Sequence, residues 1–265
     1  MSRMTLRKQL KKWLYGSCPG FAGSFPYFGT KVHFPPRSWS FYAACEQGIF
    51  ERDNVRVLQS LIRAGTTMFD VGANIGLMAV PVLRHCVGCQ VVSFEPSGNV
   101  LPSLRKTVAG SPFGSRWQLI EMAVSAKEGT SEFTVSTQAE SLFDGFRNTR
   151  RASASATITV QVTTLDAIWR ALGQPAVSMI KCDVEGADLD VLEGARDCLA
   201  VTQAAILVEW NATNLAAYER PPAALLEFAR RTGYRVFAVP GFAEISDPTA
   251  LRLHMLETES FFLAR

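Results

Sequence analysis

The sequence predicts a single three-layer α/β domain built on a mostly parallel sheet, and three observations predict it. From Val55 onward, short apolar, β-branched runs alternate with helical stretches, the pattern of strands buried on both faces by helices. The chain is 265 residues long and 48% hydrophobic, enough for one large core, and neither an internal repeat nor a second core is visible. A glycine-rich turn and an acidic residue sit at the ends of the first two strands, where open α/β sheets bind ligands.

The elements follow in order. A helix over about 53–64 stops at Gly65, and strand Thr67–Val71 follows. After a glycine-rich turn come a helix from Leu77 to Cys86 and strand Gln90–Phe94. A helix over about 97–109 leads to strand Trp117–Met122. Glu132–Ser136 and Thr157–Val162 alternate with period two, which reads as a β-hairpin excursion whose long polar tip, 137–156, is expected to be mobile. Thr163 and Asp166 have capping-box spacing for a helix to Leu172. Then come strand Val177–Cys182, a helix from Asp188 to Leu199, strand Ala204–Val208, a helix over about 222–232 ending at Gly233, strand Tyr234–Val239 and a last strand, Ser260–Ala264.

The net charge of +3 hides two unlike parts. Met1 to Ala44 carries seven basic residues and no acidic one, which leaves 20 basic against 24 acidic in the rest. Residues 1–50 therefore read as a basic, aromatic-rich arm or lid, and 51–265 as the main domain. Within residues 3–14, Leu6, Leu10, Trp13 and Leu14 share one helical face opposite the bases, the pattern of a helix that touches anionic lipid peripherally. Residues 15–40 are rich in Gly, Pro and aromatics and read as a loop, linker or lid. No apolar run approaches the roughly 18–20 residues that span a bilayer, and the charged start lacks an apolar stretch behind it. Six scattered cysteines need no disulfides in a chain of this length, so a cytoplasmic protein is expected. Cys86-Val-Gly-Cys89 lacks the further ligands a zinc site needs, and Cys182 and Cys198 read as core residues.

The chemistry sits in Asp70-Val-Gly-Ala-Asn-Ile-Gly76. Gly72 permits a tight turn and close approach. Gly76 lets the following helix pack near the sheet. The spacing is not the GxGxxG of a dinucleotide site, and a leading Asp repels phosphate but suits an ammonium. These features point to a phosphate-free adenosine cofactor carrying an amino acid. Glu95, 25 residues on, ends the second strand, where a carboxylate accepts ribose hydroxyls.

These segments, with Ser93-Phe-Glu-Pro96, resemble class I S-adenosylmethionine-dependent methyltransferases. Ala123–Gly129, Thr163–Asp166 and Ile180-Lys-Cys-Asp-Val-Glu-Gly-Ala-Asp188 narrow the resemblance to the FkbM family, over roughly residues 66–240. The resemblance implies a Rossmann-like, seven-stranded sheet whose last strand is antiparallel. It also implies S-adenosylmethionine as cofactor and methyl transfer, mostly to oxygen, on sugars, glycans or secondary metabolites. Carried over, it places Asp70, Gly72, Ala73, Asn74 and Gly76 around the methionine part. Glu95 and Pro96 fall at the ribose, and Met122 and Ala123 beside the adenine. Two departures stand out: Lys106-Thr107 replaces an Asn that the family often shows, and the fifth strand ends Glu209-Trp-Asn211 without the usual His.

A hydroxyl acceptor needs a base or a metal. Asp183 is expected as base or as ligand to a divalent metal, Glu209 as a second carboxylate, and Lys181, on the same strand parity, as the group that tunes Asp183 or binds acceptor. Glu185, before Gly186, fits a turn. Two other functions compete. Nucleic-acid methylation would use the arm with Arg147, Arg150 and Arg151, but the acidic body and the lack of a recognisable nucleic-acid module disfavour it. A non-catalytic cofactor-binding module is disfavoured by the intact carboxylate set. The acceptor's identity and the oligomeric state are not written in the sequence.

Overall fold

The computed structural model describes residues 6–136, 144–149 and 155–265. The arm comes first: α1 (Leu6–Ser17), a hairpin of β1 (Ser24–Tyr27) and β2 (Thr30–His33), then α2 (Trp39–Gln47). The stretch expected as loop is thus regular structure. Phe28 and Gly29 both take positive φ, 46° and 75°, the geometry of a two-residue hairpin turn. Pro26 sits exposed in a two-stranded ribbon, where a missing N–H is tolerated. Ser38 caps α2 by accepting from the Phe41 N–H. The arm's aromatics point inward: Phe34 stacks on Phe41 at 3.9 Å, and Phe25 meets the same ring at 5.3 Å. They share one apolar cluster with Met68, Val91 and Met179 of the main sheet.

The main body then alternates: α3 (Arg52–Leu61), β3 (Thr67–Val71), α4 (Ala79–His85), β4 (Gln90–Phe94), α5 (Leu101–Ala109) and β5 (Trp117–Ile120). It continues with β6 (Ala123–Val124), β7 (Gly129–Ser136), β8 (Ser155–Thr163), α6 (Leu165–Ala171), β9 (Val177–Cys182), α7 (Asp188–Glu193) and α8 (Arg196–Thr202). It ends with β10 (Ala205–Glu209), α9 (Ala212–Ala217), α10 (Ala224–Thr232), β11 (Arg235–Ala238), β12 (Glu244–Ile245), α11 (Pro248–His254) and β13 (Ser260–Ala264). The main sheet has the order β12-β11-β13-β10-β9-β3-β4-β5. β5, β4, β3, β9 and β10 run parallel, and β13 lies antiparallel to both β10 and β11. The Rossmann-like three-layer sheet with an antiparallel last strand is as expected. It gains an eighth strand, because the chain after β11 turns back and pairs two residues of β12 at the edge.

β3 and β9 are buried along their whole length. Their alternate side chains enter two cores: Phe69, Val71, Ile180 and Cys182 on one face, Met68 and Met179 on the other. The expected hairpin exists as β7 and β8, paired over eight residues and joined by β6 into a separate three-stranded sheet. The third strand therefore ends at Ile120, two residues early, and the chain beyond it changes sheets.

The rest of the hairpin tip differs from expectation where it is described. Gly145 pairs with Thr134, and Arg147 donates to the Ala217 carbonyl at 3.1 Å, so 144–149 lie against the body. Residues 137–143 and 150–154, with Arg150 and Arg151, lie outside the described residues. The single helix expected over Asp188–Leu199 is two helices. A Cβ at Gly194 would stand 2.2 Å from the Ser125 carbonyl oxygen, and the chain breaks at that close approach. The cap of α6 is Thr164, one residue later than expected, which accepts from the Ala167 N–H. Asp166 serves α8 instead, accepting from the N–H groups of Asp197 (3.0 Å) and Cys198 (2.8 Å) at its start. Asp166→Ala should therefore lower stability by about 1–2 kcal/mol and Asp166→Asn by much less, a difference that urea unfolding at an unchanged m-value will read.

Candidate functional site

Strand ends of β3, β4 and β9 open onto one cleft of about 800 Å³. Register brings Asp70 opposite Lys181 across the β3–β9 pair, so the two side chains share a face. The Lys181 ammonium donates to the carbonyls of Gly72 (2.7 Å) and Val71 (3.2 Å). It stands 3.5 Å from Asp183 Oδ2 and 3.8 Å from Asp70 Oδ1. Burial pulls the Lys181 pKa down, but Asp183, Asp70 and Glu51 more than offset it and the net shift is upward.

Asp70 meets an ammonium as its position suggested, but the ammonium is that of Lys181. Asp70 is fully buried, takes a hydrogen bond from Ser93 Oγ at 3.2 Å, and lies beneath the cleft rather than on its wall. Gly72, at φ 74°, is forced: a Cβ there would be 2.0 Å from the Asp183 carbonyl oxygen. Gly76 also lies under the floor, where a Cβ would strike the Trp117 ring at 2.9 Å. That is the close helix–sheet packing the sequence anticipated.

Gly72, Ala73, Asn74, Glu95, Pro96, Met122 and Ala123 all line the cleft. Asn74 takes φ 49° and donates its N–H to Glu95 Oε2 at 2.8 Å, while Ser97 N–H donates to Oε1 at 2.9 Å. Each carboxylate oxygen thus accepts one backbone N–H and keeps further lone pairs. Burial pushes the Glu95 carboxyl up to about 7 against those two hydrogen bonds.

A smaller cavity of about 370 Å³ adjoins the cleft and shares Met78, Lys181 and Asp183 with it. Glu209, expected near Asp183, lines this second cavity and accepts from Asn214 Nδ2 at 2.8 Å. Carboxylate oxygens of Asp183, Glu185 and Glu209 lie within 4.8 Å of one another, close enough to hold a divalent cation. Glu185 is buried at φ 55° before Gly186 at φ 98°, so it occupies the turn expected of it and also the cleft wall. Asn211, where a His was missing, caps α9 by accepting from the Asn214 N–H at 2.8 Å.

Sequence reasoning missed four wall residues. Ser40, from the arm, donates to Asn74 Oδ1 at 2.9 Å. Asp144, from the hairpin tip, takes hydrogen bonds from Ser97 Oγ and the Ser136 N–H. Glu51 takes φ 43° just before α3 and accepts from Asn54 Nδ2 at 2.9 Å. Burial, with Asp183 nearby, pushes its carboxyl up to about 7. Glu259 joins it in the smaller cavity. The aromatic-rich stretch before residue 50 reads in sequence as a loop, linker or lid, and no local pattern marked these four. Arg147, one of the three arginines considered for phosphate contact, lies over the Tyr218 ring at 5.1 Å.

The family model of the methyltransferase FkbM domain matches residues 70–236, more than half of the chain. The chain belongs to the FkbM methyltransferase family. Among solved structures, it is similar to a methyltransferase FkbM from Methylobacillus flagellatus KT (16% identity, 85% of this chain and 54% of that chain, TM-score 0.48). It is similar to a methyltransferase from Geobacter sulfurreducens (15%, 85% and 85%, TM-score 0.44) and to a precorrin-6y C5,15-methyltransferase from Geobacter metallireducens GS-15 (12%, 79% and 83%, TM-score 0.43). The chain spans about half the length of the first of these. A sequence comparison with curated proteins gave no match.

The FkbM family implies S-adenosylmethionine, and the cleft fits it. Its charged wall residues are Glu95, Asp144, Asp183 and Glu185 against Lys181, whose ammonium is already engaged by carbonyls. Such a wall repels phosphate and favours a cation.

The buried acids set a pH dependence. Glu51, Glu95 and Asp188 are all pushed up to about 7, first by burial. The folded chain therefore holds protons that the unfolded chain has released above the ordinary carboxylate range, and stability falls as pH rises through about 7. Between about pH 6 and pH 8 the ligand-free chain should lose on the order of 1–3 kcal/mol. Thermal melts across that range check it, and Glu95→Gln should flatten the slope.

Proposed function

We propose that the chain transfers a methyl group from S-adenosylmethionine to a hydroxyl of a sugar, glycan or secondary metabolite. The observation that carries this reading is the position of Asp183: it lines both the larger cleft and the smaller cavity, with one carboxylate oxygen 3.5 Å from the Lys181 ammonium. When bound, the cofactor supplies a methyl group already activated on a sulfonium.

The chain's own residues do the rest. Glu95 would accept the two ribose hydroxyls with the lone pairs its backbone partners leave. Met122, Ala123 and Pro96 would hold the adenine side of the cofactor. The Gly72–Asn74 turn would hold the methionine part. Asp70 and Gly76 act from below, Asp70 by holding Lys181 and Gly76 by letting the turn pack on Trp117. The smaller cavity holds the acceptor. Its wall of Glu51, Asn54, Asp183, Glu209, Glu259 and Ser260 offers hydrogen-bond acceptors to a polyhydroxyl surface. Asp183 would take the proton of the acceptor hydroxyl, the cofactor's methyl–sulfur bond giving way to the new methyl–oxygen bond with its electron pair left on sulfur. Lys181 fixes the carboxylate in place, and Glu209 helps orient the acceptor. Positioning of the two reactants supplies much of the acceleration.

A metal variant rests on the spacing of Asp183, Glu185 and Glu209, where a divalent cation would lower the hydroxyl pKa in place of a base.

The test follows transfer of labelled methyl from S-adenosylmethionine into fractionated cell extract, then into the acceptor so found. Asp183→Asn should keep cofactor affinity and lose about 10²–10⁴-fold in kcat; full activity in this variant would remove Asp183 from the chemistry. Glu95→Gln should weaken cofactor binding by about 10–100-fold, the value of a hydrogen bond to a charged group. Because protonation removes acceptor capacity from Glu95, calorimetry should show affinity falling as pH drops below about 7. Turnover that survives a chelator removes the metal variant.

A further inference from the structure

Helix α1 is docked with its apolar side outward. Lys12 donates to Glu46 at 2.6 Å and lies over the Tyr42 ring at 5.4 Å. Gly16 faces Phe41, whose ring lies 3.4 Å from where a Cβ would be. These contacts place the Lys12–Gly16 side against the body. Leu6, Leu10 and Trp13 fall within about 60° of one another on a different side of the helix, and they are 81%, 57% and 57% exposed. Arg7 and Lys11, also exposed, flank them. Phe21, in the turn after α1, is 55% exposed. A helix on a globular body ordinarily turns its apolar stripe inward; this one turns it out, and no residue of the helix is buried.

Charge decides what covers that face. From Met1 to Ala44 there is no acidic residue, so every charge that α1 itself sets beside the apolar stripe is positive, and Glu46 of α2 is paired with Lys12 on the docked side. A second copy of the chain would bring the same positive border against itself. An anionic lipid surface meets both features: leucine and tryptophan at the boundary between headgroups and acyl chains, arginine and lysine at the phosphates. Among the described residues no helix is long and apolar enough to cross a membrane, and α1 has only 12 residues, so the geometry is that of a helix lying in the surface.

We infer that the chain docks on anionic membranes through α1, with Leu6, Leu10 and Trp13 inserted and Arg7 and Lys11 on lipid phosphates. The inference is independent of the methyl acceptor and of Asp183.

The experiment is flotation of the full chain with vesicles of phosphatidylcholine plus phosphatidylglycerol, against phosphatidylcholine alone. The chain floats with the anionic vesicles, at least about tenfold better than with neutral ones, and added salt weakens it. Arg7→Gln and Lys11→Gln each reduce binding by about fivefold. Leu10→Asp and Trp13→Ala reduce it further while leaving the thermal melt unchanged, because both side chains point outward. Three results would overturn the proposal. They are equal flotation with neutral vesicles or none at all, undiminished flotation of Leu10→Asp, and a dimer in sedimentation that Leu10→Asp dissociates, which would make the occupant a second copy.

Discussion

The site depends on one buried ammonium. Lys181 ends inside the fold between β3 and β9, with its side chain 7% exposed. A charge so placed costs several kcal/mol unless it is paired and hydrogen-bonded. Asp70 and Asp183 supply the pairing, and the carbonyls of Val71 and Gly72 supply the hydrogen bonds. Those carbonyls belong to the residues where β3 becomes a turn, so satisfying the ammonium also fixes where the turn begins. Gly72 then passes against the Asp183 backbone, and Asn74 arrives in position to donate to Glu95. One ion pair thereby couples the ends of β3, β4 and β9. Removing Lys181 alone would leave Asp70 fully buried without its compensating charge.

Three of the nine non-glycine residues at positive φ among the described residues border the same place. Asn74, Glu185 and Glu51 all hold positive φ without being glycine, and all three line one of the two cavities. Such backbone persists only where the surroundings over-determine it. Each is tied: Asn74 to Glu95 and Ser40, Glu51 to Asn54 and Gln47, Glu185 by burial against the Gly186 turn. The acids also resist their own ionisation, since burial lifts Glu51 and Glu95 to about 7. The ligand-free cleft thus holds negative charge at a cost that a cation entering it relieves.

What the sequence disclosed follows from how local each signal is. Strands Thr67–Val71, Gln90–Phe94, Val177–Cys182 and Ser260–Ala264 were legible to the residue, because a strand buried on both faces is a continuous apolar run. The turn glycines and Glu95 were legible because a strand end fixes their place. The arm's hairpin was hidden by Pro26 and by Phe28 in a turn position that usually takes Asn or Gly. The break at Gly194 was hidden because its cause, the Ser125 carbonyl, lies in another element. Ser40, Glu51 and Asp144 reach the site from segments 30 or more residues from Asp183, and nothing nearby in sequence announces such contacts. Asp70 was placed correctly at the strand end, but its partner was assigned to a ligand when the fold supplies it from β9.

The separation of charge seen in the sequence acquires a spatial meaning. Several of the body's acids gather at the strand ends, and the smaller cavity presents Glu51, Asp183, Glu209 and Glu259 together. An acceptor carrying phosphate or carboxylate near its reacting group would have to desolvate that charge against four carboxyls and a lysine already engaged by Val71, Gly72 and Asp183. A neutral hydroxyl meets the opposite situation, since each carboxylate is a hydrogen-bond acceptor and a hydroxyl brings the donor. Under the proposed reading, in which the smaller cavity takes the acceptor, the same carboxylates that cost stability in the folded chain would discriminate among acceptors, because a group that donates to them removes their penalty and a group that repels them adds to it.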